Sequence, residues 1–164
     1  MANWCNNSLL INGKEEQVSS FLLDIKEMYN RYEKEQQGVL PLDFTGEKSR
    51  YWFFTDDLWD IENNQITFET KWAPPIESVE FLAKKHNVSI ELFYEELGNL
   101  IYGCFSYNYE TKESSDIYLE DDDFDKYTSN YEESIYFFEG EEYESEYEIL
   151  ETILERKIKS NNQN

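Results

Sequence analysis

Hydrophobic and polar positions in the first two-thirds of the chain alternate between a period of two and a period near 3.6, the marks of strand and helix. Ser8 to Asn12 reads as a short strand, closed by the turn signal Asn12-Gly13. From Lys14 to Lys34 the apolar positions Val18, Phe21, Leu22, Ile25, Met28, Tyr29 and Tyr32 recur in steps of three and four, which predicts a helix with one buried face. Glu15 and Glu16 occupy its first turn, where the helix dipole favours negative charge, and Gln37-Gly38 breaks the pattern. Arg50 to Thr55 is an aromatic-rich strand candidate. After the turn Asn63-Asn64, the positions Ile66, Phe68, Thr70 and Trp72 alternate with Thr67, Glu69 and Lys71, a strand with one buried face. Pro74-Pro75 stops it and suits a helix start. Ile76, Val79, Leu82, Ala83 and His86 line one face of that helix. Val88, Ile90, Leu92 and Tyr94 alternate again, Gly98-Asn99 turns, and Leu100 to Tyr109 forms the second strand of a hairpin.

The order β-α-β-β-α-β-β predicts an α+β fold, an antiparallel sheet with two helices on one face. This is the ferredoxin-like or split βαβ arrangement with an added strand. We expect this domain over residues 1–109. Residues 110–159 form an acidic C-terminal extension packed on the same domain, and 160–164 a frayed tail. In the extension, Ile117 to Leu119 and Ile135 to Phe138 are strand candidates around the acidic run Glu120 to Asp125. From Glu141 to Lys159 the helical period returns, with Tyr143, Tyr147, Leu150, Ile153, Leu154 and Ile158 on its packed side.

Composition narrows the functional classes. The 164 residues fit one domain, and 36 acids against 14 Lys and Arg give a net charge of −22. Such a chain is repelled by phosphate, so neither direct nucleic-acid binding nor an anionic membrane surface is expected. The 4 Trp, 13 Tyr and 11 Phe supply enough apolar material for a core despite the charge. No apolar stretch approaches a membrane span, and MANWCNNS has neither the basic nor the apolar region of a secretory signal. Cys5 and Cys104 are too few for a disulfide scaffold and fit a reducing cytoplasm. Both are expected in the core.

Two motifs carry a family resemblance. Asn3-Trp4-Cys5-Asn6-Asn7, followed by a strand and Gly13, resembles the opening of the YubB ferredoxin-like proteins. Phe68-Glu69-Thr70-Lys71-Trp72-Ala73-Pro74-Pro75-Ile76 is similar to that family's F-x-T-x-W-x-P-P before its second helix, and Tyr94-Glu95-Glu96-Leu97-Gly98 with Gly103 also fits. The loop Asp56-Asp57-Leu58-Trp59-Asp60 departs from the family's N-W-G-T-K-W segment. The resemblance implies a ferredoxin-like fold, carriage by phages and plasmids, and no established activity. It implies no iron–sulfur cluster, which would need four ligands.

The catalytic chemistries find little support. His86 is the only histidine, so a two-histidine zinc site or an H-E-x-x-H helix cannot be assembled, and a catalytic triad would have to be built on this one residue. Late on its helix, it is expected to meet the dipole or fill the helix–sheet contact. No glycine-rich phosphate loop is present. Asp121, Asp123, Asp125 and Glu132 match positions 1, 3, 5 and 12 of a calcium loop, but Lys126 stands where the sharp turn needs glycine. No cofactor and no metal are expected, and Trp4 and Trp72 are expected to pack helices against the sheet.

The extension carries the functional signal. Residues 110–155 hold 18 acids against Lys112 and Lys126. Glu144, Glu148, Glu151 and Glu155 make a carboxylate stripe along the last helix, and like charges four apart destabilise a helix by a few tenths of a kcal/mol per pair. Folding gains nothing from the stripe. The expected function is therefore a non-enzymatic inhibitor that occupies a basic, nucleic-acid-binding surface on a bacterial protein. Its contact residues would be Asp121, Asp122, Asp123, Asp125, Glu144, Glu148, Glu151 and Glu155, with Tyr127, Tyr131 and Tyr136 as aromatic anchors. The alternatives are a small-ligand sensor with a pocket around Trp4, Trp59 and Trp72, and a metal-assisted hydrolase.

Overall fold

The computed structural model of the protein describes residues 3–35, 52–53, 59–60, 63–130, 132 and 134–161. The elements are β1 (Trp4–Asn12), α1 (Glu15–Glu35), β2 (Trp52–Phe53), β3 (Trp59–Asp60), β4 (Gln65–Lys71), α2 (Ile76–His86), β5 (Ser89–Glu96), β6 (Ile101–Tyr107), β7 (Ser114–Tyr118), α3 (Asp121–Phe124), β8 (Thr128–Asn130), β9 (Ile135–Phe138), β10 (Glu141–Tyr143) and α4 (Glu146–Asn161). Tyr131 and the loop residues 54–58 lie outside the described residues, as does the side chain of Trp59.

The strands β2-β4-β1-β5-β6-β7 form one sheet, with β3 also paired to β4, and every pair is antiparallel. Within it, β5-β1-β4-β2 is the strand order of the ferredoxin-like fold. Two strands rather than one are added beside β5, because the sheet continues past residue 109 into β7.

Alternation in β1 decides which face the helices cover. Cys5, Asn7, Leu9 and Ile11 are buried, while Trp4, Asn6, Ser8 and Leu10 point to the other side. The buried set packs under α1 and α2 with Phe21, Ile25, Leu82 and Leu92. The two helices are tied where Asp24 Oδ2 meets Lys85 Nζ at 2.5 Å and His86 Nε2 at 2.7 Å. That contact, and an edge-to-face approach to Phe21, is the role of the lone histidine. Burial pushes the thiols of Cys5 and Cys104 up to about 12, as suits inert core residues.

The family-like motifs turn out to be joints. Asn7 Nδ2 donates to the carbonyls of Cys5 and Phe68 at 2.8 and 3.3 Å and to Thr70 Oγ1 at 2.9 Å. Thr70 in turn donates to the Ala73 carbonyl, and Trp72, at a positive φ of 71°, donates its N–H to Asn3 O. These bonds fix the exit from β4 into α2. The tryptophans themselves are a correction: Trp4 is 37 % and Trp72 53 % exposed, so neither wedges a helix onto the sheet.

The second correction concerns the end of the chain. The segment expected to begin the last helix at Glu141 is β10, paired with β9 across a two-residue turn. Glu139 and Gly140 both take positive φ, 53° and 87°, as a tight hairpin turn of type I′ requires. The helix therefore starts at Glu146, its buried face is Ile149, Leu150, Ile153 and Leu154, and Tyr147 is exposed. This face joins Cys104, Leu119 and Phe138 in a second core. That core lies on the side of the sheet opposite α1 and α2, at its β6–β7 end. Among the described residues no helix is long and apolar enough to cross a membrane.

Candidate functional site

The second core covers only one end of that sheet face, and a cleft opens beside it. Residues in antiparallel register share a face, so Glu69, Asn6, Glu95 and Tyr102 form one row across β4, β1, β5 and β6. Thr67, Ser8, Phe93 and Cys104 form the next. The first row, and Thr67, Ser8 and Phe93 of the second, border a cleft of about 390 Å³. Phe93 is 45 % exposed there, although it sits on an interior strand. Asn6 Nδ2 donates to Glu95 Oε1 at 3.0 Å, which orients that carboxylate.

The charge of Glu151 on α4 reaches Tyr102, which lines this cleft. Burial pushes the Tyr102 phenol up to about 12, helped by the negative charges of Glu151 and Glu95. Burial likewise raises that of Tyr147, with Glu95 and Glu146 contributing. One acidic strand residue and the outer face of α4 thus act on the same two tyrosines. Further along the face, Lys71 Nζ lies 4.4 Å from the Trp72 ring centroid, a cation held on an exposed aromatic.

The residues expected to meet a partner divide into two groups. Asp121, Asp122, Asp125, Glu144, Glu148, Glu151 and Glu155 are exposed. Glu144 precedes α4, which shortens the helical stripe to Glu148, Glu151 and Glu155, and Glu155 is paired with Lys159 at 2.7 Å. Asp123 is not surface at all. It is 3 % exposed, paired with Lys126 Nζ at 2.6 Å and with Lys157, and accepts the Glu120 backbone N–H at 2.8 Å. Burial alone would raise its pKa, but these hydrogen bonds hold it down to about 2. The tyrosines are also drawn inward: Tyr127 and Tyr136 pack against the second core with ring centroids 6.4 Å apart, and Tyr127 donates to Glu146. Both are half-buried and help to hold the second core together. Among the described residues no group of carboxylates, histidines and cysteines is arranged to hold a metal ion.

The cleft itself was missed in the sequence, although a signal was present. In the alternation Ile90, Leu92, Tyr94, the aromatic Phe93 is out of phase, standing between Glu91 and Glu95 on the polar side. An exposed ring at the mouth of a cleft, rather than alone on a surface, is a candidate contact for a ligand.

The molecule is thus an α+β protein of the ferredoxin-like class. The sequence profile of the ferredoxin-like domain in Api92-like protein matches residues 51–139, more than half of the chain, and the chain belongs to that family. No curated protein and no solved structure matches it.

Proposed function

We propose that this protein is a non-catalytic binding module of a phage or plasmid, which occupies a basic, nucleic-acid-binding surface on a bacterial defence or nucleic-acid-handling protein. One observation carries the reading. Glu148 and Glu151 stand exposed on α4 without an ion pair among the described residues, and the charge of Glu151 reaches Tyr102 of a cleft whose own charged groups, Glu69 and Glu95, are acidic. A surface serving only solubility needs no such concentration beside exposed aromatics. The likeness of the Asn3–Asn7 and Phe68–Ile76 motifs to YubB proteins supports carriage by a mobile element and a bacterial cytoplasmic setting.

Charge sets the rate of encounter for such a partner more than the final affinity. Replacing Glu148, Glu151 and Glu155 together by glutamine is expected to slow association with a basic protein captured from a bacterial lysate by about tenfold at low salt. It should also flatten the salt dependence. Surface plasmon resonance at several ionic strengths reads both, and an unchanged association rate rejects α4 as the docking face. The cleft favours a second reading, a sensor of a small ligand, in which the α4 glutamates would be dispensable.

A further inference from the structure

The geometry points to an arginine side chain of the basic partner as the occupant of the cleft on the open sheet face; this rests on the reading of the surface given above. Phe93 presents an exposed ring on β5, Glu95 follows it two residues along the same strand, and Glu69 stands two strands away on β4, across Asn6. At about 4.8 Å between strands, the two carboxylate-bearing positions are on the order of 10 Å apart, room for one planar group to reach either. A guanidinium is planar, lies flat on an aromatic face and forks onto a carboxylate at once, whereas an ammonium meets a ring only as a strongly hydrated point charge and cannot fork. The bond from Asn6 holds the Glu95 carboxylate ready for that fork. Lys71 over Trp72 shows the same face already pairing a cation with a ring, within this chain.

The other occupants fit less well. Single-stranded nucleic acid does stack on aromatic residues of open sheets, but it needs a positively charged groove to follow the backbone. Here Glu69, Glu95 and, at the edge, Glu151 repel phosphate. A purely apolar ligand would take water from the carboxylates and return no hydrogen bond, which is costly. The volume of about 390 Å³ lies in the range of specific sites, roughly 300–1,000 Å³, and admits a long side chain with some of its own backbone.

The test uses the full chain, labelled with nitrogen-15, and the blocked tripeptide acetyl-Gly-Arg-Gly-amide. Backbone amides of Asn6, Glu69, Phe93, Glu95 and Tyr102 are expected to shift on titration. The citrulline peptide, neutral and of the same shape, should leave them still, and the lysine peptide should bind at least about tenfold more weakly. F93S and E95Q should each weaken the arginine peptide about tenfold, and both positions are accessible enough that the rest of the spectrum should be retained. Equal shifts with citrulline, or shifts confined to α4, overturn the pocket, as does saturation of these same amides by oligouridine. If the cleft stays silent while the α4 glutamine variant still loses its partner, only the pocket is wrong. If the cleft takes arginine and that variant captures the partner unchanged, the pocket stands and the docking face does not.

Discussion

Valine in place of Gly103 is expected to destabilise the protein by about 3 kcal/mol, at the upper end for overpacking a core. A Cβ at this position would stand 2.5 Å from Tyr94 Oη and 2.6 Å from its Cζ, where real contacts do not occur. The ring cannot yield cheaply. Tyr94 is 5 % exposed, and its hydroxyl donates to Asp116 Oδ1 at 2.7 Å, so that β5 is tied to β7 across the glycine of β6. Burial and this bond raise the phenol's pKa, which keeps the donor proton in place. The clash is pairwise and should be non-additive. In a Tyr94→Leu background, where the ring and its hydrogen bond are gone, the same glycine substitution should cost less than about half as much. Urea denaturation of the four proteins of this cycle measures the coupling, and simple additivity would contradict the contact.

Asp123 governs the second large effect, a dependence on pH. Its folded pKa of about 2 lies below the unfolded value of about 3.9, so its contribution is fully present above pH 4. It is lost as pH falls through the folded value. The shift corresponds to on the order of 2 kcal/mol, trimmed by solvent around Lys126, which is half exposed. The advantage of the native protein over Asp123→Asn should therefore be about that size at pH 6 and shrink to a few tenths of a kcal/mol, roughly, by pH 2. A constant difference across this range in chemical denaturation would mean that the ion pairs with Lys126 and Lys157 contribute nothing.

What the sequence disclosed follows from how far each feature depends on distant parts of the chain. The strands β1, β4 and β5 and the helices α1 and α2 announce themselves by periodicity, since each buries one face of a regular element. The β9–β10 hairpin did not, because its signal is two residues, Glu139 and Gly140, at positive φ inside an acidic run that also fits a helix start. The fate of Asp123 was hidden for a different reason. Its partner Lys157 lies on α4, and only the tertiary fold brings them together. Trp4 and Trp72 misled because size suggests burial, whereas their motif is held by the small polar residues Asn7 and Thr70. The cleft required the register: Glu69, Asn6 and Glu95 are far apart in sequence and neighbours only across β4, β1 and β5.

The claim that the acidic face stands in for nucleic acid is tested most directly by competition. A complex of this protein with the basic protein it captures from a bacterial lysate is immobilised and titrated with duplex DNA or single-stranded RNA. Nucleic acid should release the captured protein, and excess free acidic protein should in turn remove that protein from nucleic acid. A complex that persists at saturating nucleic acid, or that takes it up as a third component, would contradict the account.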